Sequence, residues 1–361
     1  MSDPISAPDL EKLARPEILA LQPYASARAL AGTAGILLNA NESPWPPAGD
    51  PGLALNRYPD PQPAALKQRL AELYGTGADN LLLTRGSDEG IDLLLRVFCR
   101  AGVDRVLICP PCFGMYALSA TVQGASIIEA PLVDRGHFFE LAPDFEQRAR
   151  GCRISFLCSP NNPTGNIIAH ETVASLARSQ IDLGLVVVDE AYVEFAPETS
   201  MMDLLAEHPN LVLLRTLSKA HALAGCRLGC VIAHPSIIGL LRRIIAPYPL
   251  PTPTVAIAMQ ALEPEALAVE REHLQTLATE RARLAEALDR HAGIERVWSG
   301  AANFVLVRAA DGPQLVADAA AAGIRLRDQS AQPGLADCVR ITVGAPAEND
   351  ALIEFMQRWS P

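Results

Sequence analysis

The chain has 361 residues, of which 49% are hydrophobic and 20% are charged, and its formal net charge is −11 at pH 7. This length and composition are typical of a globular protein with one large and one smaller domain. The acidic balance argues against nucleic acid or an anionic membrane as a partner, because like charges repel at long range. An anionic ligand would therefore have to meet locally placed arginines.

The N-terminal stretch MSDPISAPDLEK is acidic and contains prolines, and no later run is long and apolar enough to span a bilayer. We therefore expect a cytoplasmic protein. The eight cysteines lack dense or regular spacing, which favours free thiols over a disulfide framework. Cys109 and Cys112 have the spacing of a redox or metal pair, but Cys226 and Cys230 do not match it. A turn after a strand is the favoured interpretation of CPPC, with a zinc site as the alternative.

The predicted elements begin near Leu81, where short apolar runs start to alternate with helical patterns. A helix is predicted after Ser87, which can cap it, because apolar residues recur with helical spacing at Ile91, Leu94, Leu95 and Phe98. Further apolar runs predict buried strands at Val106 to Cys109, Ile154 to Cys158, Leu185 to Val188, Leu211 to Leu214 and Leu228 to Ala233. This order indicates an α/β fold with a mainly parallel sheet, in which ligands bind beyond the carboxyl ends of the strands.

A proline-rich segment, APYPLPTP at residues 246–253, marks the exit from the large domain, and a long helical stretch follows to about Ala292. The remainder predicts five further elements. These are a strand at Asn303 to Val307, a helix at Leu315 to Ala321, strands at Ile324 to Arg327 and at Val339 to Val343, and a last helix that ends at Trp359. We therefore predict an N-terminal segment at 1–34 that packs on the small domain and a dimer partner, a large domain at 35–252, and a small C-terminal domain at 253–361 with a long connecting helix.

Lysine occurs only at Lys12, Lys67 and Lys219. The first two lie in polar stretches typical of solvated helices, whereas Lys219 follows a predicted strand among small and apolar residues. Desolvation there favours the neutral amine that attacks a carbonyl. Taken alone, a loop lysine such as Lys219 is more often a solvated cation.

Asp189 ends the very apolar run LVVVDE, so its carboxylate needs a partner, unless it simply caps the following helix. The ring nitrogen of pyridoxal phosphate would supply that partner, and together Asp189 and Lys219 indicate this cofactor. Ser87 and Asp88 at a helix N-terminus, Ser218 and Arg227 could hold its phosphate. The chain lacks the glycine fingerprints of NAD and ATP sites.

Four motifs, SPNNPTG, VVVDEAY, TLSKA and AGCRLG, resemble those of fold type I aminotransferases in order and separation. Other segments are similar to the histidinol-phosphate aminotransferase family: PYASAR, LNANESP, NRYPDPQP, RGSDEGIDLLLR, PPCFGMY, APYPLPTP, and LRDQ followed by VRITVG. This resemblance implies a fold type I pyridoxal-phosphate-dependent transferase. Its large domain would have a mainly parallel seven-stranded sheet between helices, beside a smaller α+β domain.

The resemblance also implies cofactor roles for individual residues. Lys219 would bind the cofactor as a Schiff base and move protons, and Asp189 would pair with the ring nitrogen. The other implied contacts are Tyr192 and Asn162 at the ring hydroxyl, Phe113 on the ring face, and Ser87, Asp88, Ser218 and Arg227 at the phosphate. Family members often have tyrosine where Phe113 stands. Tyr58 would reach the phosphate from the partner subunit, so the resemblance implies a homodimer.

For the substrates, the resemblance implies that Arg340 binds the α-carboxylate of glutamate. Arg327 would meet either the phosphate of histidinol phosphate or the side-chain carboxylate of glutamate. Further substrate-binding residues would be Tyr24, Asn39 and Tyr248. The implied reaction exchanges L-histidinol phosphate and 2-oxoglutarate for imidazole acetol phosphate and L-glutamate, in histidine biosynthesis.

Two alternatives remain open from the sequence. One is an aromatic amino acid aminotransferase or an amino-acid-phosphate decarboxylase of the same subfamily. The other is a non-catalytic binding protein on the same scaffold, which the complete set of candidate catalytic residues and the lack of a basic stretch disfavour.

Overall fold

A seven-stranded sheet forms the centre of the larger domain in the computed structural model, which describes residues 10–22, 24 and 35–360. The described strands are β1 (Leu81–Thr84), β2 (Arg105–Ile108), β3 (Ser126–Glu129), β4 (Val133–Asp134), β5 (Phe139–Glu140), β6 (Ile154–Cys158), β7 (Leu185–Asp189), β8 (Leu211–Thr216), β9 (Gly229–Ala233), β10 (Ile294–Trp298), β11 (Phe304–Ala309), β12 (Arg327–Asp328) and β13 (Cys338–Thr342). The order in the large sheet is β1-β9-β8-β7-β6-β2-β3. Only β9 is antiparallel to its neighbours β1 and β8, so the predicted, mainly parallel seven-stranded sheet is confirmed.

Helices cover both faces of this sheet. The described α-helices are α1 (Pro16–Ala20), α2 (Ala64–Tyr74), α3 (Gly86–Phe98), α4 (Met115–Gln123), α5 (Phe145–Ala149), α6 (His170–Ser179), α7 (Pro235–Leu241), α8 (Thr252–Ala261), α9 (Pro264–Asp289), α10 (Gly312–Ala321) and α11 (Pro346–Arg358). Successive β7 residues alternate between two cores: Leu185 and Val187 pack with α3, α4 and α7, and Val186 and Val188 pack with α2, α5, α6 and α8. Because both faces are buried, the strand is apolar throughout.

The smaller domain contains a four-stranded antiparallel sheet in the order β10-β11-β13-β12. Its core joins this sheet to α10, α11 and the C-terminal half of α9, through residues such as Leu284 and Leu288. Ala258 and Leu262 instead belong to a core of the large domain. The boundary between the two domains therefore lies within α9, whereas the boundary expected from the sequence was between residues 252 and 253.

Three local predictions differ from the structure. Helix α3 begins at Gly86 without a side-chain cap, and Ser87 lies inside its first turn. The predicted strand from Ile324 pairs only at Arg327 and Asp328, because Ile324 and Leu326 pack on the apolar core without joining the sheet. Lys67 is only 9% exposed, although its polar surroundings in sequence indicated a solvated lysine.

The described N-terminal residues pack on the large domain. Leu10, Leu13 and Ile18 are buried in the core that contains α3 and α7. Nη1 of Arg243 donates hydrogen bonds to the carbonyl oxygens of Ile18 and Leu19, at 3.2 and 2.7 Å. The predicted contacts of the N-terminal segment with the small domain and a dimer partner stay predictions, and most of this segment apart from residues 10–22 lies outside the described residues. None of the described helices combines the length and the apolar character that a membrane span requires.

Candidate active site

A cavity of about 560 Å³ opens where β6, β7 and β8 end, at Cys158, Asp189 and Thr216. This is the edge of a parallel sheet at which ligands bind in open α/β folds. The cavity brings together most of the predicted site residues, which come from distant parts of the chain: Ser87, Asp88, Phe113, Asn162, Asp189, Tyr192, Ser218, Lys219, Arg227, Arg327 and Arg340.

Lys219 lies in the loop after β8 and extends over the ring of Tyr192, with Nζ 5.6 Å from the ring centroid. Its side chain is exposed to the cavity, yet the surrounding protein desolvates the ammonium and lowers its pKa. The positive charge of Arg340 lowers this pKa further. Both effects increase the fraction of neutral amine, the form that attacks a carbonyl carbon.

Asp189 is only 2% exposed at the end of β7. Its hydrogen-bond donors among the described residues are neutral: the Tyr116 hydroxyl at 2.6 Å from Oδ2 and the Ala191 amide at 3.1 Å from Oδ1. Burial raises the pKa of Asp189 to about 6, although these two hydrogen bonds oppose the rise. A buried carboxylate with neutral partners is stabilised by a cation that enters the cavity.

Three polar side chains, Asp88, Ser218 and Arg227, surround the N-terminus of α3 and are called the cradle below. Arg227 donates hydrogen bonds to Ser218 Oγ at 3.3 Å and to Asp88 Oδ2 at 3.1 Å. Gly86 has φ +73°, and a Cβ atom at this position would lie 2.7 Å from Nη2 of Arg227. Glycine therefore permits both the turn and the close approach of the guanidinium to the helix end. Amides of the first helical turn, a hydroxyl and an arginine together suit a phosphate group.

Comparison with known proteins decides the family. The model of the family "Aminotransferase class I and II" matches residues 50–356. The chain belongs to this aminotransferase family. It is 47% identical over 348 residues to histidinol-phosphate aminotransferase of Stenotrophomonas maltophilia, covering 96% of both chains. Against histidinol-phosphate aminotransferase of Xylella fastidiosa it is 46% identical over 353 residues, covering 97% of both chains.

Solved structures agree on the fold. Histidinol-phosphate aminotransferase of Sinorhizobium meliloti in complex with pyridoxal-5'-phosphate superimposes with a TM-score of 0.75 at 26% identity, covering 88% of this chain and 90% of that chain. The corresponding enzyme of Clostridium acetobutylicum gives a TM-score of 0.75 at 23% identity, covering 84% and 90%. The expected fold type I architecture is confirmed.

The side chains that line the cavity of this aminotransferase fit the chemical groups of pyridoxal phosphate. The buried Asp189 carboxylate suits a protonated ring nitrogen, and the cradle of Asp88, Ser218 and Arg227 suits the phosphate. Lys219 offers the amine at the same cavity. Thr216 supports the cradle, because its hydroxyl donates to Ser218 Oγ at 3.0 Å.

Several residues of the site were not identified from the sequence. Thr216, Gln329 and Gln332 line the cavity, and Tyr116 contacts Asp189 from behind it. The segments TLSKA, PPCFGMY and LRDQ contained three of these residues, but nothing in the sequence distinguished Tyr116 from an ordinary core tyrosine. The spacing of Arg327 and Gln329 was the available signal for the glutamine, since alternate residues of a strand face the same side.

The small domain supplies the cationic wall of the cavity. Arg327 and Arg340 are direct partners in the register of β12 and β13. Arg340 also donates a hydrogen bond to Oδ1 of Asn162, and its guanidinium lies 5.4 Å from the ring centroid of Phe304. From the residues alone, without the family resemblance, these arginines were more consistent with outward-facing positions on small-domain strands, whereas both line the cavity in the structure.

Four predicted residues do not line the cavity of their own chain. Tyr24 is 76% exposed and Asn39 is also exposed. Tyr58 stacks on Tyr248 with ring centroids 4.4 Å apart and an interplanar angle of 14°. Their proposed contacts with cofactor and substrate stay predictions.

The cysteines are free thiols, and all are buried except the partly exposed Cys226. Burial raises the pKa of Cys109 and Cys112, so both remain protonated at neutral pH. Across the described ranges, no group of three or more histidine, cysteine or acidic side chains could hold a metal ion.

Proposed function

We propose that the chain is a histidinol-phosphate aminotransferase. It uses pyridoxal phosphate to exchange L-histidinol phosphate and 2-oxoglutarate for imidazole acetol phosphate and L-glutamate, a reaction of histidine biosynthesis. The observation that carries this proposal is one cavity that combines Lys219, the buried Asp189 and two paired arginines. The identity of 47% to a histidinol-phosphate aminotransferase over 96% of the chain supports the choice of substrate.

We propose that Asp189 keeps the ring nitrogen of the cofactor protonated, while Tyr192 and Asn162 bind the ring hydroxyl and Phe113 covers the ring face. The cradle formed by the first turn of α3, Ser218 and Arg227 would hold the phosphate. When bound, pyridoxal phosphate supplies an electron sink for the negative charge that develops at the α-carbon of the amino substrate.

Lys219 carries out proton transfer in this proposal. Its Nζ takes the proton from the α-carbon of the amino substrate, which requires the neutral amine. Desolvation and the charge of Arg340 favour that form, because both lower the pKa of Lys219.

Arg327 and Arg340 bind and orient the substrates. Guanidinium groups stay charged across the physiological pH range, and they bind either a carboxylate or a phosphate by donating hydrogen bonds in the same geometry. One pair of arginines can therefore serve two substrates in turn, with Arg340 at the α-carboxylate of glutamate and Arg327 at the second anion.

We also propose that two chains form a homodimer in which Tyr58 reaches the cofactor phosphate of the partner subunit. Several large apolar side chains near Tyr58 in sequence are exposed in the single chain, including Ile36 at 90%, Leu38 at 89% and Trp45 at 76%. Several large apolar side chains exposed within one segment of the chain are typical of an interaction surface. The surface lies in the same segment as Tyr58, which is itself 49% exposed.

A panel of amino donors tests the proposed function. The purified protein with pyridoxal phosphate and 2-oxoglutarate should turn over L-histidinol phosphate far faster than tyrosine, phenylalanine or O-phosphothreonine. Lys219→Ala should abolish turnover, whereas Lys12→Ala, at an exposed position, should retain it. Preferred turnover of the aromatic donors would contradict the proposed substrate. Release of CO₂ from O-phosphothreonine would instead indicate the decarboxylase alternative, and turnover by the Lys219 variant would overturn the mechanism.

A further inference from the structure

A buried tyrosine outside the cavity contacts the carboxylate on which the proposed cofactor site depends. Tyr116 of α4 is 1% exposed, and its hydroxyl donates to Oδ2 of Asp189 at 2.6 Å. We propose that Tyr116 is a positioning residue for the reaction, which fixes the orientation and charge of Asp189 toward the ring nitrogen of pyridoxal phosphate. This inference rests on the proposed function, because it concerns the same cofactor.

The ring of Tyr116 is held by two aromatic neighbours. It stacks on Phe156 of β6, with centroids 4.9 Å apart and planes within 3°, and meets Phe113 edge to face at 5.7 Å. Burial also raises the pKa of Tyr116 well above its ordinary value, so the phenol keeps its proton. The hydroxyl is therefore a fixed donor, and its direction is set by packing that does not depend on a ligand.

The carboxylate of Asp189 receives one donor on each oxygen, Tyr116 on Oδ2 and the Ala191 amide on Oδ1. An ionised carboxylate has about four lone-pair sites, so acceptor capacity remains for a cofactor. The Ala191 amide is fixed by the backbone at the end of β7. Tyr116 is thus the partner of Asp189 that a substitution can remove while the carboxylate and its main chain stay intact.

Several groups determine the charge of Asp189. Burial has the largest effect and raises the pKa of Asp189 to about 6. The hydrogen bond from Tyr116 lowers this pKa more than any other group does, and Lys219 lowers it as well. Asp88, at the start of α3, raises it. The thiol of Cys158 also faces this pair from β6. Removal of the Tyr116 hydroxyl should therefore raise the pKa of Asp189 further, toward the neutral acid that cannot pair with a protonated ring nitrogen.

Tyr116→Phe isolates the hydroxyl, because phenylalanine preserves the ring packing. Pyridoxal phosphate should bind the purified apo-protein about tenfold more weakly, the magnitude of a lost hydrogen bond to a charged group. The defect should be largest just above the wild-type Asp189 pKa of about 6 and decrease at higher pH, where the variant carboxylate also ionises. Titration by tryptophan fluorescence measures this affinity without any amino substrate.

Unfolding of the apo-protein gives a readout that needs neither cofactor nor turnover. The folded-state pKa of Asp189 lies above the ordinary value of 3.8, so its contribution to stability is complete below that pH and is lost as the pH rises through about 6. In Tyr116→Phe this loss should continue to higher pH. A purely structural role would instead lower the unfolding midpoint by the same amount at every pH.

Two comparisons complete the test. Tyr74→Phe is the matched control, because the Tyr74 hydroxyl is buried but has no hydrogen-bond partner among the described residues. It should bind pyridoxal phosphate as the wild type does. In an Asp189→Asn background, Tyr116→Phe should cause no further pH-dependent loss.

Wild-type cofactor affinity and pH dependence in Tyr116→Phe would overturn the inference, and so would an undiminished pH-dependent effect in the Asp189→Asn background. Failure of histidinol phosphate to turn over would reject the proposed substrate, yet leave these cofactor and unfolding results interpretable.

Discussion

At the scale of single residues, the two arginines of the small domain are unusual because they stand directly opposite each other on β12 and β13. Like charges in such cross-strand positions destabilise a sheet. Burial lowers the pKa of Arg340, and the charge of Arg327 lowers it further. A bound anion would relieve this repulsion, which is the physical reason to assign the pair to substrate binding.

Arg327→Ala should reduce kcat/KM for L-histidinol phosphate about 10- to 100-fold, the range expected for a lost charge-assisted hydrogen bond. Arg325→Ala is the matched control, because Arg325 is an exposed arginine of the same segment that does not line the cavity. Steady-state kinetics with histidinol phosphate measures the loss. Equal effects of the two substitutions would show that general surface charge, and not a specific contact, explains the role of this segment.

The sequence identified the residues whose chemistry is unusual for their local context. Lys219 and Asp189 stood out because ionisable groups directly after apolar strands need a special environment. Tyr116 did not, because a tyrosine in an apolar helix is ordinary and its contact with Asp189 spans 73 residues of sequence. The pairing of Arg327 with Arg340 depends on strand register, which the predicted strand from Ile324 did not specify.

At the scale of secondary-structure elements, the phosphate cradle depends on how closely β9 approaches the start of α3. A Cβ atom on Gly229 would lie 2.6 Å from the carbonyl carbon of Gly86 and 2.6 Å from the amide nitrogen of Ser87. These are backbone atoms, which cannot rotate away as a side chain can. Glycine at this position therefore sets the distance between the strand and the helix end that is proposed to bind phosphate.

Gly229→Ala should lower the free energy of unfolding by about 1 to 3 kcal/mol, the usual cost of overpacking, and should weaken pyridoxal phosphate binding because the helix end moves. Gly225→Ala is the control from the same segment, since a Cβ atom at Gly225 meets nothing within 4 Å. Chemical denaturation and cofactor titration measure the two effects. A Gly229 variant as stable as the Gly225 variant would contradict this account of the cradle.

Elements buried on two faces were predicted well, because their apolar runs have no other explanation; β6 was predicted with its observed bounds. Strand β3, at the sheet edge and only partly buried, has no comparable signal. The position of the domain boundary within α9 was also not predictable, since this one continuous helix contributes Leu267 to a large-domain core and Leu284 to the small-domain core. Helical periodicity gives the face of a helix but not the domain it packs against.

At the scale of the whole molecule, the single chain leaves its proposed site incomplete. Tyr58 and Tyr248 stack on each other and do not line the cavity, while Ile36, Leu38 and Trp45 are largely exposed. A two-fold symmetric pair of chains would bury the same surface on both subunits. Each subunit would then present its Tyr58 to the cavity of the other, so that residues of one site belong to two chains.

Mixing two inactive variants tests this arrangement directly. Lys219→Ala removes the amine of a chain's own site, and Tyr58→Ala removes the residue proposed to serve the partner's site. After subunits are exchanged, a heterodimer should contain one intact site, with Lys219 from the Tyr58→Ala chain and Tyr58 from the Lys219→Ala chain. Random pairing would restore about a quarter of wild-type activity, because half of the dimers would be heterodimers with one working site each. If Tyr58 served its own chain instead, the same mixture would show no gain over the separate variants. An affinity tag on only one of the two variants, with co-purification of the untagged chain, would verify that heterodimers had formed before the absence of activity was interpreted.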